Sequence, residues 1–284
     1  MINKIFIGDA LEILQEFPDS FVDMCITSPP YYGLRDYGVQ GQLGQESDFN
    51  LYIDKLLAIF DEVKRILKKK GTCWVNISDT YEDKSLLGIP FQFVQGMLNK
   101  GWILRNTIIW HKPNAMPINV KDRFTIDFEY LFFFSKNKKY YFEQQVEPVK
   151  QSSIKRITQK TFNQQGGGRK DYGRTGINPN RSSRKTLENF AKNFTGKRNK
   201  RCVWTIPTKG YKDIHFAVYP PELIETPIKA GCPINGIILD PFIGSGTTGM
   251  VAKSLSRNYI GIELNPDYLD LIKSRIDNTI KPLV

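Results

Sequence analysis

Short apolar stretches of strand length recur along the chain, and segments with helical periodicity lie between them. The stretches are rich in Ile, Val, Phe, Tyr and Trp, as buried strands are. The seven stretches are residues 5–7, 22–27, 72–77, 107–111, 130–134, 237–240 and 259–263. Residues 48–69 and 267–280 carry apolar side chains three and four positions apart, which predicts amphipathic helices. The alternation of strand and helix predicts an α/β fold with a doubly wound, mostly parallel, seven-stranded sheet.

The alternation stops in the middle of the chain, where residues 143–212 are polar, basic and Gly-rich. Residues 150–201 contain fifteen Lys or Arg and two acids. The net charge of the whole chain is +11, so the residues outside this segment are together close to neutral. A charge run is often only a solvated surface or a disordered tail. Because this one lies inside the chain, nucleic acid is the favoured partner. We therefore predict three parts: residues 1–142, a basic insertion of residues 143–212, and residues 213–284.

Composition argues against several classes of protein. We find no apolar run of about 18 residues, which predicts that no segment spans a membrane. The N-terminus lacks the apolar core of a secretory signal, so we expect a cytoplasmic protein. The four cysteines form no CxxC pair and the chain has two histidines, so we expect reduced thiols and no metal site.

A glycine-rich loop, DPFIGSGTTG, begins at Asp240 and follows the predicted strand of residues 237–240. Its glycines fit the pattern G-x-G-x-x-G, which allows a sharp turn and the close approach of a ligand. No Lys completes a P-loop. The next predicted strand ends in Glu263, whose carboxylate suits ribose hydroxyls, so a nucleotide-like cofactor is favoured over a turn that only packs a helix. Because this loop comes last among the strands, we expect a circularly permuted sheet, as folds with neighbouring termini tolerate.

A rigid corner, TSPPYYG, occupies residues 27–33 at the end of the second predicted strand. Adjacent prolines cannot continue a central strand, because each lacks an N–H and has a fixed φ. The corner therefore holds one small polar side chain, Ser28, and two aromatic rings in defined positions.

Three motifs together, TSPPY, HFAVYPPELI and DPFIGSGTTG, resemble those of the S-adenosylmethionine-dependent DNA amino-methyltransferases, in the order of their β class. The resemblance extends from Gly8 to about Tyr268, except for the insertion. It implies a Rossmann-like methyltransferase core whose catalytic half is residues 1–142 and whose cofactor-binding half is residues 213–284, with target recognition by the insertion. It implies catalytic roles for Ser28, Pro29, Pro30 and Tyr31.

The resemblance also implies the cofactor-binding residues. Glu263 matches the ribose-binding acid. Phe216 and the segment up to Glu222 match the motif that closes over the methionine end of the cofactor, and Asp9 resembles a family position near the adenine. The implied set is Asp9, Phe216, Asp240, Pro241, Phe242, Gly244, Ser245, Gly246, Thr247 and Glu263.

Candidate DNA contacts are basic residues of the insertion and one lysine outside it. Lys112 follows a predicted strand and could line a base pocket or contact phosphate, or simply end the strand. The candidates are Lys112, Arg169, Lys170, Arg174, Arg181, Arg184 and Lys185. Arginines commonly read guanine edges, but this set does not identify a target sequence.

The corner suits methylation of an exocyclic amino group. Such a nitrogen is a poor nucleophile because its lone pair is delocalised into the base. Two fixed acceptors, the Ser28 hydroxyl and the Pro29 carbonyl, would favour a pyramidal nitrogen. The ring of Tyr31 could stack on a base flipped out of the duplex. We expect direct transfer without a covalent enzyme intermediate.

Family members with Ser at this position mostly methylate cytosine N4, whereas those with Asp mostly methylate adenine N6. We therefore favour cytosine in double-stranded DNA, and adenine stays open. A nucleotide-dependent oxidoreductase would not account for TSPPY or the basic insertion. A catalytically silent nucleic-acid-binding protein is disfavoured by the intact motifs. We expect a restriction-modification enzyme, a monomer or homodimer, which could have a cognate restriction endonuclease.

Overall fold

The computed structural model describes residues 1–36, 38–149, 196–208 and 219–279, together with Ser152 and Ile154. The chain divides into a larger unit, Met1–Glu143 with Arg201–Val284, and a smaller unit, Gln144–Lys200. The functional division into three parts stays a prediction.

The described elements follow one another in the order strand, helix, strand over most of the chain. They are β1 (Lys4–Ile7), α1 (Ala10–Gln15), β2 (Val22–Thr27), α2 (Phe49–Ile66), β3 (Leu67–Ile77), β4 (Tyr81–Glu82), β5 (Ser85–Leu86), α3 (Ile89–Asn99), β6 (Ile103–His111), β7 (Phe128–Ser135), β8 (Val146–Pro148), β9 (Lys197–Asn199), β10 (Val203–Thr205), α4 (Pro221–Gly231), β11 (Ile237–Asp240), α5 (Thr247–Ser254), β12 (Asn258–Glu263) and α6 (Leu269–Asp277). A 3₁₀ turn, Pro266–Tyr268, precedes α6.

The described strands of the larger unit form an eight-stranded sheet in the order β1-β12-β11-β2-β3-β7-β6-β10. The pairs are parallel, apart from those of β7, which runs antiparallel to both neighbours. The seven predicted strands all lie in this sheet, and the predicted α/β fold is confirmed. The eighth strand, β10, was not predicted; it adds to the edge beside β6, where Trp204 pairs with Trp110.

The first and last described strands of the chain are neighbours in this sheet. β1 pairs with β12, and β11 pairs with β2, with Leu239 opposite Cys25. The strand that precedes the glycine loop therefore lies beside the strand that precedes the proline corner, although they are far apart in sequence. Because parallel strands end at the same edge, the two motifs are brought together there.

Side chains of β2 alternate between two apolar cores. Cys25 packs with the buried faces of α1, α2 and α3, whereas Met24 and Ile26 pack with α4 and α5. Burying a large apolar side chain contributes about 1.5–3 kcal/mol, so both faces of the sheet require a cover of helices. This arrangement makes the sheet doubly wound.

Two predicted helices end differently in the structure. The helix predicted for residues 48–69 stops at Ile66, because Leu67 is extended and pairs with Val22 at the start of β3. The helix predicted for residues 267–280 begins as a 3₁₀ turn and is α-helical only from Leu269 to Asp277. Tertiary strand pairing thus overrides the helical tendency of the lysines after Ile66.

In the smaller unit, β8 and β9 pair antiparallel. Its predicted DNA contacts Arg169, Lys170, Arg174, Arg181, Arg184 and Lys185 lie outside the described residues. None of the described helices has the length and apolar character that a membrane span requires.

Candidate active site

A cavity of about 630 Å³ lies where β2, β11 and β12 end. Its walls include the proline corner, the glycine loop, Asp9 at the start of α1 and Glu263 at the end of β12. Its volume is in the range of small-molecule sites. The structure therefore brings together the two motifs that the sequence analysis assigned to catalysis and to cofactor binding.

The proline corner is anchored from below by α2. The Tyr52 hydroxyl donates a hydrogen bond of 2.8 Å to the Pro30 carbonyl. Among the described residues, none donates to the Pro29 carbonyl. The corner therefore retains a backbone acceptor for a ligand directly beside Ser28.

A hydrogen-bonded chain links the corner to β7. The Ser28 hydroxyl lies 3.2 Å from the Tyr31 hydroxyl, which donates to Oε2 of Glu129 at 2.7 Å. Burial, followed by the nearby charge of Glu129, raises the pKa of Tyr31 well above its ordinary value. Tyr31 is therefore a hydrogen-bond donor at neutral pH.

Glu129 and Asn76 complete this network, and the sequence analysis missed both. The Asn76 amide donates to Oε2 of Glu129 at 2.9 Å and to the Tyr130 carbonyl at 3.0 Å. Glu129 is 9% exposed and Asn76 is 2% exposed. Asn76 lies between Val75 and Ile77, and Glu129 lies between Phe128 and Tyr130. A polar side chain between large apolar neighbours in a buried strand is the signal that could have identified them.

Lys112 lies in the cavity wall. Its ammonium group pairs with Oε1 of Glu129 and lies 4.6 Å from the centroid of the Trp110 ring. The Lys112 side chain is 20% exposed. This position agrees with the proposed alternative of lining a pocket, and contact with DNA phosphate stays a prediction.

The Asp240 carboxylate lies beneath the glycine loop and not in the cavity wall. It accepts hydrogen bonds from the Thr27 hydroxyl at 2.5 Å, the Phe242 amide at 3.1 Å and the Tyr219 hydroxyl at 3.1 Å. Burial raises the pKa of Asp240, and hydrogen bonds from Thr248 and Thr27 oppose that effect. In this structure Asp240 therefore joins the loop to β2 and to Tyr219.

The glycines of the loop have different roles. A Cβ on Gly244 would meet only the Phe242 carbonyl oxygen within 4 Å, at 3.9 Å, so the space beside it is open. A Cβ on Gly246, with φ of +85°, would lie 2.9 Å from Cγ2 of Ile272. Gly244 thus gives a ligand access to the main chain, whereas Gly246 permits the turn into α5 to pack on α6. The cavity is also lined by Pro241, Phe242, Ser245 and Thr247.

Two carboxylates in the cavity wall organise neighbouring backbone. Asp9 caps α1 and accepts from the Leu11 and Glu12 amides at 2.8 and 3.1 Å. Glu263 accepts from the Gly244 amide at 3.0 Å and from the Asn265 amide at 2.9 Å. Burial raises the pKa of Glu263 to about 7. These hydrogen bonds still leave both groups accessible from the cavity.

The segment HFAVYPPELI is only partly described. Phe216 lies outside the described residues, whereas Tyr219 lines the cavity and α4 begins at Pro221. Through its hydroxyl, Tyr219 contacts Asp240 and Thr248. This part of the motif therefore reaches the glycine loop.

Comparison with known proteins identifies the family of the chain. A model of the family described as DNA methylase matches residues 22–274. The chain is 36% identical to the type II methyltransferase M.Cfr9I of Citrobacter freundii, over 96% of this chain and 87% of that protein. It is 37% identical to M.SmaI of Serratia marcescens, over 96% of this chain and 90% of that protein.

Solved structures share the fold. The PvuII DNA methyltransferase, described as cytosine-N4-specific, has a TM-score of 0.69 at 21% identity, covering 99% of this chain and 89% of that one. The M1.HpyAVI–SAM complex has a TM-score of 0.60 at 22% identity, covering 96% of this chain and 98% of that one. Together with the matching family and the sequence relatives, the motifs establish that the chain belongs to the DNA methylase family, the DNA amino-methyltransferases.

Proposed function

We propose that the protein transfers a methyl group from S-adenosyl-L-methionine to the exocyclic N4 of cytosine in double-stranded DNA. The observation that carries this proposal is the shared cavity, which places the Ser28 corner and the glycine loop in the walls of one space. An amino acceptor and a methyl donor must meet within one site for direct transfer.

The cavity fits S-adenosyl-L-methionine. Glu263 offers a carboxylate for ribose hydroxyls, Gly244 leaves the main chain open to a ligand, and Asp9 provides a second carboxylate for the adenine side. Phe216 and the segment up to Glu222 are proposed to close over the methionine end. Family membership and the SAM complex of M1.HpyAVI support this choice of cofactor.

The proposed chemistry is a direct displacement. The cofactor supplies an electrophilic methyl group on a sulfonium centre. The Ser28 hydroxyl and the Pro29 carbonyl accept hydrogen bonds from the target amino group, which localises the lone pair of the nitrogen. The nitrogen would take the methyl group while the carbon–sulfur electron pair stayed on sulfur, and the methylated nitrogen would lose its surplus proton to solvent. Preorganised acceptors of this kind act most strongly at a site that excludes water.

Cytosine is favoured as the target because residue 28 is Ser. The fold shared with a cytosine-N4-specific enzyme agrees with this choice. Adenine N6 is the second candidate, because a Ser hydroxyl and an Asp carboxylate can both accept from an amino group.

The basic segment of residues 150–201 is proposed to bind and recognise the duplex. Its fifteen Lys or Arg supply the positive charge that phosphate binding requires. Relatives named as type II methyltransferases support a role in restriction-modification. A cytoplasmic location and a monomer or homodimer agree with this role, and a cognate restriction endonuclease is a further proposed partner.

The test is nucleoside analysis by mass spectrometry after incubation with S-adenosyl-L-methionine and mixed-sequence duplex DNA. N4-methylcytosine is the expected product, and N6-methyladenine would overturn the base assignment while retaining the reaction. Ser28→Ala should lose most of the product while cofactor affinity, measured by calorimetry, is unchanged. If neither mixed-sequence DNA nor unmodified genomic DNA of varied origin yields a methylated base, the silent nucleic-acid-binding alternative replaces the proposal. Methyl transfer itself excludes the oxidoreductase.

A further inference from the structure

The hydrogen atoms in the Ser28–Tyr31–Glu129 chain have a defined direction. An ionised carboxylate only accepts hydrogen bonds, so the Tyr31 hydroxyl must donate to Glu129 across the 2.7 Å contact. A phenol has one hydrogen to donate. The Tyr31 oxygen can then serve only as acceptor toward Ser28, and the Ser28 hydroxyl must donate across their 3.2 Å contact.

Asn76 enforces the same direction from a second side. Its amide nitrogen donates both to Glu129 and to the Tyr130 carbonyl, which fixes the orientation of the amide group. Its oxygen therefore faces the Tyr31 hydroxyl, at 3.4 Å. Both neighbours of Tyr31 on the β3–β7 side are acceptors, so the Tyr31 hydrogen points away from Ser28.

Lys112 neutralises the negative charge of Glu129 in this network. Its ammonium group pairs with the Glu129 oxygen that does not face Tyr31. The Glu129 carboxylate is thus surrounded by three donors, from Tyr31, Asn76 and Lys112. Such charge-assisted networks are stronger and more directional than single hydrogen bonds at a surface.

We propose that Glu129 is a positioning residue that acts through Tyr31. It directs the Ser28 O–H toward Tyr31 and away from the substrate, so that the Ser28 oxygen can only accept a hydrogen bond from the target amino group. A serine needs this help because its hydroxyl can rotate and donate, whereas an aspartate at the same position is an acceptor without it. The inference deepens the proposed function and rests on it.

A double-mutant cycle tests the proposal. Tyr31→Phe keeps the aromatic ring but removes the hydroxyl, and it should lower kcat by about 10- to 100-fold with KM for DNA little changed, as expected for one misdirected hydrogen bond. In a Ser28→Asp background, Tyr31→Phe should lower kcat by less than about threefold, because a carboxylate accepts hydrogen bonds without being oriented by a neighbour. Equal losses in the two backgrounds would overturn the proposal, because a stacking or structural role does not depend on residue 28.

Glu129→Gln should behave as Tyr31→Phe does. Its amide N–H can donate toward Tyr31, which releases the direction of the chain, and the resulting loss should also shrink in the Ser28→Asp background. If Ser28→Asp is itself inactive, Ser28→Ala provides the second background. Because Ser28→Ala leaves no hydroxyl to orient, Tyr31→Phe should then change kcat very little. If Tyr31→Phe lowers kcat in this background as much as it does in the wild type, the inference is contradicted.

Tyr32→Phe is the matched control, because this neighbouring tyrosine packs against Phe49 and Tyr52 instead of Glu129. It should leave kcat within about twofold in every background. Methylation by the wild type tests the proposed function separately. If the wild type methylates neither cytosine nor adenine, that function is rejected. An active wild type whose cycle is additive would reject only the role of Glu129.

Discussion

Glu263 should make cofactor affinity depend on pH in a defined direction. The residue is 9% exposed, and burial raises the pKa of its carboxyl group from an ordinary value of 4.5 to about 7, despite hydrogen bonds from the Asn265 and Gly244 amides. In the proposed complex it accepts hydrogen bonds from ribose hydroxyls, which favour the ionised form. Cofactor binding should therefore release a proton near neutral pH, and affinity should fall as the pH is lowered.

The size of the change in cofactor affinity follows from the Glu263 pKa of about 7. About 90% of Glu263 is ionised at pH 8 and about 10% at pH 6, so the apparent Kd should rise roughly tenfold between those values. Glu263→Gln does not titrate. It should bind the cofactor more weakly at pH 8 and show no such rise.

Calorimetric titration of the protein with S-adenosyl-L-methionine across this pH range provides the measurement. Repeating it in buffers of different ionisation enthalpy counts the protons released, and about half a proton is expected at pH 7. The same pH dependence in wild type and Glu263→Gln would refute the reasoning, since another group would then carry it. A constant wild-type Kd would refute it equally.

Three further predictions concern stability and DNA binding. Because the folded-state pKa of Glu263 is raised, its contribution favours folding at low pH and is lost as the pH rises toward 7; between pH 5 and 8 the wild type should lose about 2–3 kcal/mol more unfolding free energy than Glu263→Gln, measured by denaturant titration. Gly246→Ala should destabilise the protein by about 1–3 kcal/mol more than Gly88→Ala in thermal unfolding. Both glycines have a positive φ and directly precede a helix, but only a Cβ at residue 246 would crowd Ile272, so equal losses of stability would contradict this reasoning. Neutralising arginines within residues 150–201 should reduce the salt dependence of DNA affinity by about one unit of slope per lost phosphate contact, and an unchanged slope would exclude the segment from the interface.

Local patterns were sufficient for much of the fold. Strands such as Val22–Thr27 and Ile237–Asp240 are short apolar runs bounded by Pro or Gly, and their burial depends on little beyond their own composition. Helix ends were less predictable. The end of α2 at Ile66 depends on the pairing of Leu67 with Val22, which no local pattern contains.

The sequence by itself determined the α/β class, the permuted order of the motifs and the presence of a proline corner and a glycine loop, because adjacent residues carry each of these patterns. Only the tertiary structure decided which polar groups meet. Glu129 reaches Tyr31 from a strand 98 positions away, and Thr27 reaches Asp240 across 213 positions, so the active-site network and the inward direction of Asp240 are properties of strand register. Hydrogen bonds act over about 3 Å, and residues so distant in sequence come within that range only when the sheet is assembled.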